Sequence, residues 1–585
     1  MSISGNAFNL GLLKRILSFT KPYKIQLFVA IGLTIFLAFI SPIRPLLIQY
    51  TLDHYIIIPD SGMLYTMVML MIGVLLVETV GQFFSNYIIN LLGQSVIKDL
   101  RITLFKHINN FKISYFDKHP IGMLVTRVVS DMETIASIFT EGVVIVFGDL
   151  LQLSVVLAVM FYTDWRLALI SISTIPLLLI ATRIFKNGIK SSFQDVRTQV
   201  ARLNTFVQEH VSGINIIQLF NREAEEASAF KKINKEHADA HIRSVWHYSV
   251  FLPIVEILSA VSIGLIIWLG ARGVIAGNFS IGNIVAFTLF INMLFRPIRT
   301  LADRFNTLQM GMISSERVFQ VLDTDASMPN AQHDSPIKME GEIEFKNVWM
   351  AYKNEDWVLK DLSFKIKKGQ TVAIVGATGS GKTTIINLIN RFYEFNKGEI
   401  LIDGRTIKEF EINDLRKNIA VVLQDVFLFS DTIANNVTLN DDSIGLEEIK
   451  SAASAIGADI FINQLPGGFN YNVMERGAML SAGQRQLIAF IRAYLYQPSI
   501  LVLDEATSSI DTETELAIQK AILTLTKDRT SIIIAHRLST IQNADLILVL
   551  DNGKLMESGS HQELLKNKGI YRKLYEMQFQ EKAPI

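Results

Sequence analysis

The chain contains no cysteine among its 585 residues. Disulfides, thiolate metal sites and cysteine nucleophiles are thereby excluded. Charge is also scarce. Only 19% of the residues are charged, and 55 Lys+Arg against 55 Asp+Glu leave a formal net charge of zero. A neutral chain offers no global field for nucleic acid, and no such partner is expected. Half of the residues are hydrophobic, too many for a soluble protein of this size, so a membrane protein of several domains is expected. The polar N-terminus and the further apolar runs after the first argue against a cleavable signal peptide.

Six apolar stretches reach the length needed to cross a bilayer as helix, about 20 residues. They centre on residues 25–48, 63–92, 143–162, 167–185, 248–269 and 281–301. Loop charges set their orientation. Lys14, Arg15, Lys21 and Lys24 precede the first run without an acid among them, which places the N-terminus in the cytoplasm. The first loop carries Asp53 and Asp60 and no Lys or Arg, so it faces outward. Six crossings return the chain to the cytoplasm near residue 303. The two inward segments, 94–138 and 186–247, are long, charged and helix-patterned, too long to be mere connectors. Their tips, around Gly122 and Gly213, are expected to dock on the second half of the chain. The plainer alternative is solvated helical extensions. Glu78, Asp149, Glu256 and Arg296 fall within the spans, where ionisable residues face a bundle interior or a water-filled cavity. A substrate path and an internal ion pair are equally compatible with them.

The second half is organised by Gly376-Ala377-Thr378-Gly379-Ser380-Gly381-Lys382-Thr383, which matches the phosphate-binding pattern G-x-x-x-x-G-K-[ST]. It follows an apolar run and opens through Thr384 into a helix. Its backbone N–H groups form an anion nest, and the helix N-terminus adds to the field. Lys382 is expected to reach the β- and γ-phosphates of ATP and Thr383 to hold Mg²⁺. Polar residues 323–340, with Pro329 and Pro336, read as a linker between the halves, giving domains at 1–322 and 341–585.

Alternating runs at 343–348 and 362–366 suggest a small antiparallel sheet, and Asp403-Gly404 and Asn552-Gly553 are hairpin signals. Continuous apolar runs at 372–375, 421–423, 500–503 and 532–535 read as buried parallel strands. Each ends at a polar residue: Gly376, Gln424, Asp504-Glu505 and His536. Ligands of open α/β sheets sit at the carboxyl ends of the strands, so these positions converge on the edge that carries the phosphate loop. Asp504 would help hold Mg²⁺. Glu505 is placed as general base toward water. His536 would contact the γ-phosphate, and Gln424 would contact Mg²⁺ and sense the γ-phosphate. Tyr352 would stack on adenine. Each has a duller alternative: helix caps for Asp504 and Glu505, a turn residue for Gln424, core packing for Tyr352. Leu480-Ser481-Ala482-Gly483-Gln484 precedes a helix, and Ser481 with Gln484 has the spacing of a capping box. The same helix start is also an anion site.

Together these motifs, with Ser508-Ser509-Ile510-Asp511, resemble an ABC nucleotide-binding domain. The six spans ahead of it resemble the membrane domain of a half-size ABC exporter, in the branch of lipid flippases and multidrug exporters. The run from Phe116 and Asp117 through Pro120 and Gly122 to Thr126 and Arg127 resembles that branch's first coupling loop. The resemblance implies a multidomain fold: an all-α six-helix transmembrane domain, then an α/β P-loop ATPase domain with a small antiparallel β subdomain. It implies an ATPase of the plasma membrane that moves a lipid or amphipathic compound by alternating access, with its nucleotide-binding domain cytoplasmic. An importer or an ATP-gated channel on the same fold is the alternative. It also implies a dimer, in which Ser481, Gly483 and Gln484 of one subunit meet the ATP held by Lys382 of the other. Two positions depart from the family pattern. Ala482 stands where Gly is usual in Leu-Ser-Gly-Gly-Gln, and Met474 stands where Gly is usual upstream. These departures favour a partner of different sequence.

Overall fold

The computed structural model describes residues 10–579 apart from 58, 329–338, 505–511 and 536–537. It divides into two compact units, Met1–Asn109 with Pro120–Asp325, and Asn110–His119 with Ala326–Ile585.

In the first unit six helical segments are long and apolar enough to cross a membrane, the number expected. The first span is Lys24–Ile40 continued by Ile43–Thr51, with the break at Ser41-Pro42. The second is one helix, Ser61–Asn109, and the third is Val143–Thr163. The fourth runs as Trp165–Ile172 and then Ile175–Ser212. The fifth is Glu223–Ile275 and the sixth Ile281–Leu322. Four of these helices overshoot their apolar runs. At about 1.5 Å per residue the fifth spans roughly 80 Å, far beyond a hydrocarbon core of about 30 Å. Most of the two inward segments is therefore continuous helix, closed at one tip by the short helix Ile214–Leu219.

Local chemistry explains the turns and crossings. The Asp164 carboxylate accepts from the N–H groups of Arg166 and Leu167 and caps the start of the fourth span. Phe287, Phe290, Ile291, Leu294 and Phe295 on the sixth span are buried against Val156, Met160, Phe251 and Ile266 from the third and fifth. The turn Ile138–Gly142 that leads into the third span crosses the sixth so closely that a Cβ on Gly311 would lie 2.2 Å from the Ile138 side chain, the small-residue packing of membrane helices. Buried Asp131 accepts from Arg127 at 2.7 Å and from Ser314 at 2.9 Å, which fixes the short helix Ser130–Ser137 to the sixth. Ile25, Phe28, Leu76, Phe83 and Trp268 lie on the outside, as lipid-facing side chains do.

The second unit holds two sheets. Strands β1 (Ile343–Ala351), β2 (Trp357–Ile366), β3 (Thr371–Gly376), β4 (Lys397–Ile402) and β5 (Arg405–Thr406) come first along the chain. β6 (Ile419–Val422), β7 (Ile500–Asp504), β8 (Thr530–Ile534), β9 (Leu546–Asp551) and β10 (Lys554–Gly559) follow. The antiparallel sheet has the order β2-β1-β4-β5, and the larger sheet the order β10-β9-β3-β8-β7-β6. In the larger sheet β3, β6, β7, β8 and β9 are parallel, and only β10 runs the other way. The two hairpin signals go to different sheets. Asp403-Gly404 joins β4 to β5, while Asn552-Gly553 joins β9 to β10 at the edge of the parallel sheet. Both residues of each turn have positive φ, the type I′ geometry of two-residue hairpins. Side chains alternate across the parallel sheet. Ile374, Val502, Ile532 and Ile534 pack on one face with Ile385, Ile386 and Ile389. Leu501, Leu503 and Ile533 pack on the other with Leu487, Ile488 and Ile491.

Candidate functional site

β3 delivers the chain to the phosphate loop, and the loop's shape follows from its glycines. Gly376 lies so close to β9 that a Cβ there would be 2.3 Å from the Leu550 carbonyl oxygen. Gly381 has φ +99°, and a Cβ there would meet the Leu359 side chain at 2.6 Å. No other residue fits either place without displacing backbone or core. Ala377, Thr378 and Gly379 are exposed along the loop, and the helix Lys382–Ile389 begins at its end.

Lys382 is the centre of the site. It is 9% exposed, and its ammonium donates to the carbonyl oxygens of Gly376 at 2.7 Å and Ala377 at 2.9 Å. Burial pushes its pKa below the usual lysine range, and the nearby Asp504 carboxylate opposes that shift. Asp504 ends β7, two strands from β3, so the two charges meet across the carboxyl edge of the sheet. The Ser380 hydroxyl is buried without a hydrogen-bond partner. An orphaned donor inside an N–H-rich loop beside a buried ammonium fits an oxyanion such as a phosphate. Thr383 is exposed at the helix start and Thr384 is buried behind it.

The Tyr352 hydroxyl donates to Thr384 Oγ1 at 3.1 Å and accepts from Asn387 at 3.1 Å. Its ring is 38% exposed and stands edge-on to Tyr393, with centroids 4.8 Å apart. Tyr352 is thus tied to the phosphate-loop helix while remaining partly exposed. The Tyr393 hydroxyl in turn donates to the Asp117 carboxylate. Neither Asn387 nor Tyr393 was singled out from the sequence. The only signal was an aromatic residue just beyond the loop's helix.

Gln424 is exposed and lies two residues past β6, which ends at Val422 and not at 423 as expected. It still leaves the same edge as Gly376 and Asp504. Ser481 N-caps the helix Ala482–Leu495. Its Oγ accepts from the Gln484 N–H at 3.2 Å, and Gln484 Oε1 accepts from the Ser481 N–H at 2.9 Å. The capping box is formed, and Gly483 is buried behind it. This helix packs on the sheet face opposite the Lys382–Ile389 helix. Among the described residues no hydrogen bond joins Ser481, Gly483 or Gln484 to the phosphate loop. The fold brings Lys382, Ser380, Asp504 and Tyr352 to one edge and leaves the Ser481 segment on another layer. Glu505, His536 and the Ser508–Asp511 run lie outside the described residues.

Comparison with known proteins gives this arrangement a family. Residues 27–298 match the family described as ABC transporter transmembrane region, and residues 359–508 match the family described as ABC transporter. The chain belongs to the ABC transporter family. An uncharacterized ABC transporter ATP-binding protein of Bacillus subtilis (strain 168), YknV, is 39% identical over 577 residues, which is 98% of this chain and 95% of that protein. An ATP-dependent lipid A-core flippase of Haemophilus influenzae (strain 86-028NP) is 36% identical over 571 residues, 97% of each chain. A putative multidrug export ATP-binding/permease protein of Bacillus subtilis, YgaD, is 34% identical over 582 residues, 97% of this chain and 100% of that protein. The likeness thus runs through both units of this ABC transporter and is not confined to the ATPase half.

Proposed function

We propose that this ABC transporter chain couples ATP hydrolysis to the export or flipping of a lipid or amphipathic compound, as one half of a two-chain assembly. The observation that carries the reading is the buried Lys382 ammonium beside Asp504 at the carboxyl edge of the parallel sheet, in a chain that also has six membrane spans. Names of relatives that include a flippase and a multidrug exporter support the direction.

The roles follow from the chemistry. The loop from Gly376 to Thr384 would cradle the phosphates, with Lys382 turning from two loop carbonyls to the β- and γ-oxygens. Thr383, Asp504 and Gln424 would hold Mg²⁺, which neutralises phosphate charge when bound. Tyr352, partly exposed, would stack on adenine. Glu505 would take the proton from the attacking water, with His536 against the γ-phosphate. Ser481, Gly483 and Gln484 sit on a different layer from Lys382, so they would cap an ATP held by the partner. The partner would be a half-transporter of different sequence, given Met474, a non-glycine residue at φ 56° and ψ −170°. The segment 110–119 groups with the ATPase unit, which supports a coupling role for that loop. By loop charge, the ATPase half would lie in the cytoplasm and the spans in the plasma membrane.

The test is ATP-driven movement in vesicles of known orientation. Loss of labelled amphiphile from the nucleotide-facing side is expected. Accumulation on that side would make the chain an importer, and a passive conductance opened by ATP would make it a channel.

A further inference from the structure

Within the first unit the spans enclose a cavity of about 510 Å³, a volume in the range of small-molecule sites. Its walls come from the first, second, third and sixth spans, and each contributes a polar stripe at helical spacing. On the second span Glu78, Gln82, Ser85 and Asn86 recur at intervals that put them on one face. On the third, Asp149 and Gln152 do the same, and Arg296 and Arg304 lie two turns apart on the sixth. Arg44 completes the ring from the first span. Polar stripes within apolar spans are costly unless they face one another, water or a ligand.

The charges do not cancel among themselves. Asp149 is ion-paired with Arg304. That leaves Glu78 of one sign and Arg44 and Arg296 of the other. One carboxylate oxygen of Glu78, Oε2, is buried with no hydrogen-bond partner. Neither arginine has a hydrogen bond or ion pair among the described residues, although the Asp149 carboxylate lies within electrostatic reach of Arg296, and both are exposed to the cavity. Glu256, also within a span, is not part of this lining. A buried, unsatisfied carboxylate oxygen is stabilised by a cationic donor, and guanidinium groups favour phosphate or carboxylate.

We infer that this cavity binds a zwitterionic amphiphile, its ammonium at Glu78 and its phosphate or carboxylate at Arg44 and Arg296. A polyanionic headgroup would meet the unpaired Glu78 carboxylate. A simple cation would leave Arg44 without a counter-ion and Arg296 with only the Asp149 carboxylate that Arg304 already engages. The inference deepens the export reading and rests on it only in taking the bound compound as the one moved.

The test is equilibrium binding to the full-length transporter, purified in a non-ionic maltoside without nucleotide. Three labelled single-chain probes of equal tail length are compared: lysophosphatidylethanolamine, lysophosphatidylglycerol and an alkylammonium. The zwitterionic probe should bind about tenfold tighter than either of the others, the worth of one charged hydrogen bond. Glu78→Gln should remove its advantage over the anionic probe, and Glu78→Asp should restore part of it. Arg296→Gln should weaken the zwitterionic and anionic probes alike. Equal binding of all three probes overturns the inference, as does a preference for the anionic or cationic one. An unchanged ranking in Glu78→Gln protein that binds the anionic probe normally also overturns it. Charge-selective binding with no ATP-driven transport would support the cavity assignment and overturn the export reading. Transport without charge-selective binding would do the reverse.

Discussion

Replacing Lys382 by Met separates the fold from the chemistry. The ammonium makes two short bonds, to the carbonyls of Gly376 and Ala377. Hydrogen bonds to charged groups contribute about 1.5–3 kcal/mol each. Against this stands the cost of burying the charge, several kcal/mol for an ion removed from water. The lowered pKa of Lys382 shows that burial outweighs the attraction of Asp504. Methionine keeps most of the side-chain volume and removes the charge, so loss and gain nearly offset. The melting temperature should move by no more than about 4 °C, the equivalent of roughly 1 kcal/mol in a domain of this size. The phosphates lose their one cation from the loop. Removing a single donor to a developing oxyanion typically costs about 10²- to 10³-fold in rate, so hydrolysis should fall by at least that factor. The assays are differential scanning calorimetry and release of labelled phosphate. Turnover near the wild-type rate would remove Lys382 from the reaction. A collapse in melting temperature would make its role in the loop structural.

Three further substitutions probe other parts of the chain. Glu505→Gln should lower hydrolysis by about 10²- to 10⁴-fold while Mg-ATP still binds, which trapped labelled nucleotide would report; unchanged hydrolysis removes Glu505 as base. Ser481→Ala breaks the capping box and should destabilise the ATPase unit by about 1 kcal/mol, read by denaturant titration. Asp149→Asn leaves Arg304 without its partner inside the membrane bundle, and loss of one member of a buried pair costs about 3–5 kcal/mol. Thermal unfolding in detergent should show a clear drop in the first unit, and no drop would mean that the pair is solvated.

Legibility from sequence tracked the length over which each signal acts. The six spans were plain because each apolar run is long and nearly unbroken. The parallel strands were plain because burial on both faces demands continuous apolar residues, as in Ile500–Leu503. β9 was missed as a strand because Leu546–Asp551 reads only as the arm of the Asn552-Gly553 turn. Its place beside β3 depends on pairing with residues far away in the chain. The helical character of the inward segments was visible in their pattern. Their continuity with the spans was not, because polar residues end an apolar run without ending a helix. At the candidate site the loop, and the placing of Lys382 and Asp504 at one sheet edge, were legible from motif and strand end. Tyr393 was not, since its contacts with Tyr352 and Asp117 cross large gaps in sequence. The same holds for the cavity. Glu78, Asp149 and Arg296 were each visible as ionisable residues in apolar runs, but only the packing of four helices brings them to one space.

The two departures from the family pattern differ in physical weight. Ala482 is the first residue of the helix Ala482–Leu495, exposed and in helical conformation. Alanine there is favoured over glycine by helix propensity, by about 1 kcal/mol within a helix and less at its end. The methyl group meets no strain, and the capping box beside it is intact. Met474 is different. It has φ 56° and ψ −170°, a region that is essentially reserved for glycine and costs of order 1–3 kcal/mol for other residues. Its side chain is 53% exposed, so burial offsets only part of that strain. A glycine would adopt the same backbone freely. Ala482 is therefore a substitution that the fold favours and carries no information about a partner. The proposal that this half-transporter pairs with a chain of different sequence rests on Met474 alone, where an exposed side chain is held in place against the preference of its own backbone.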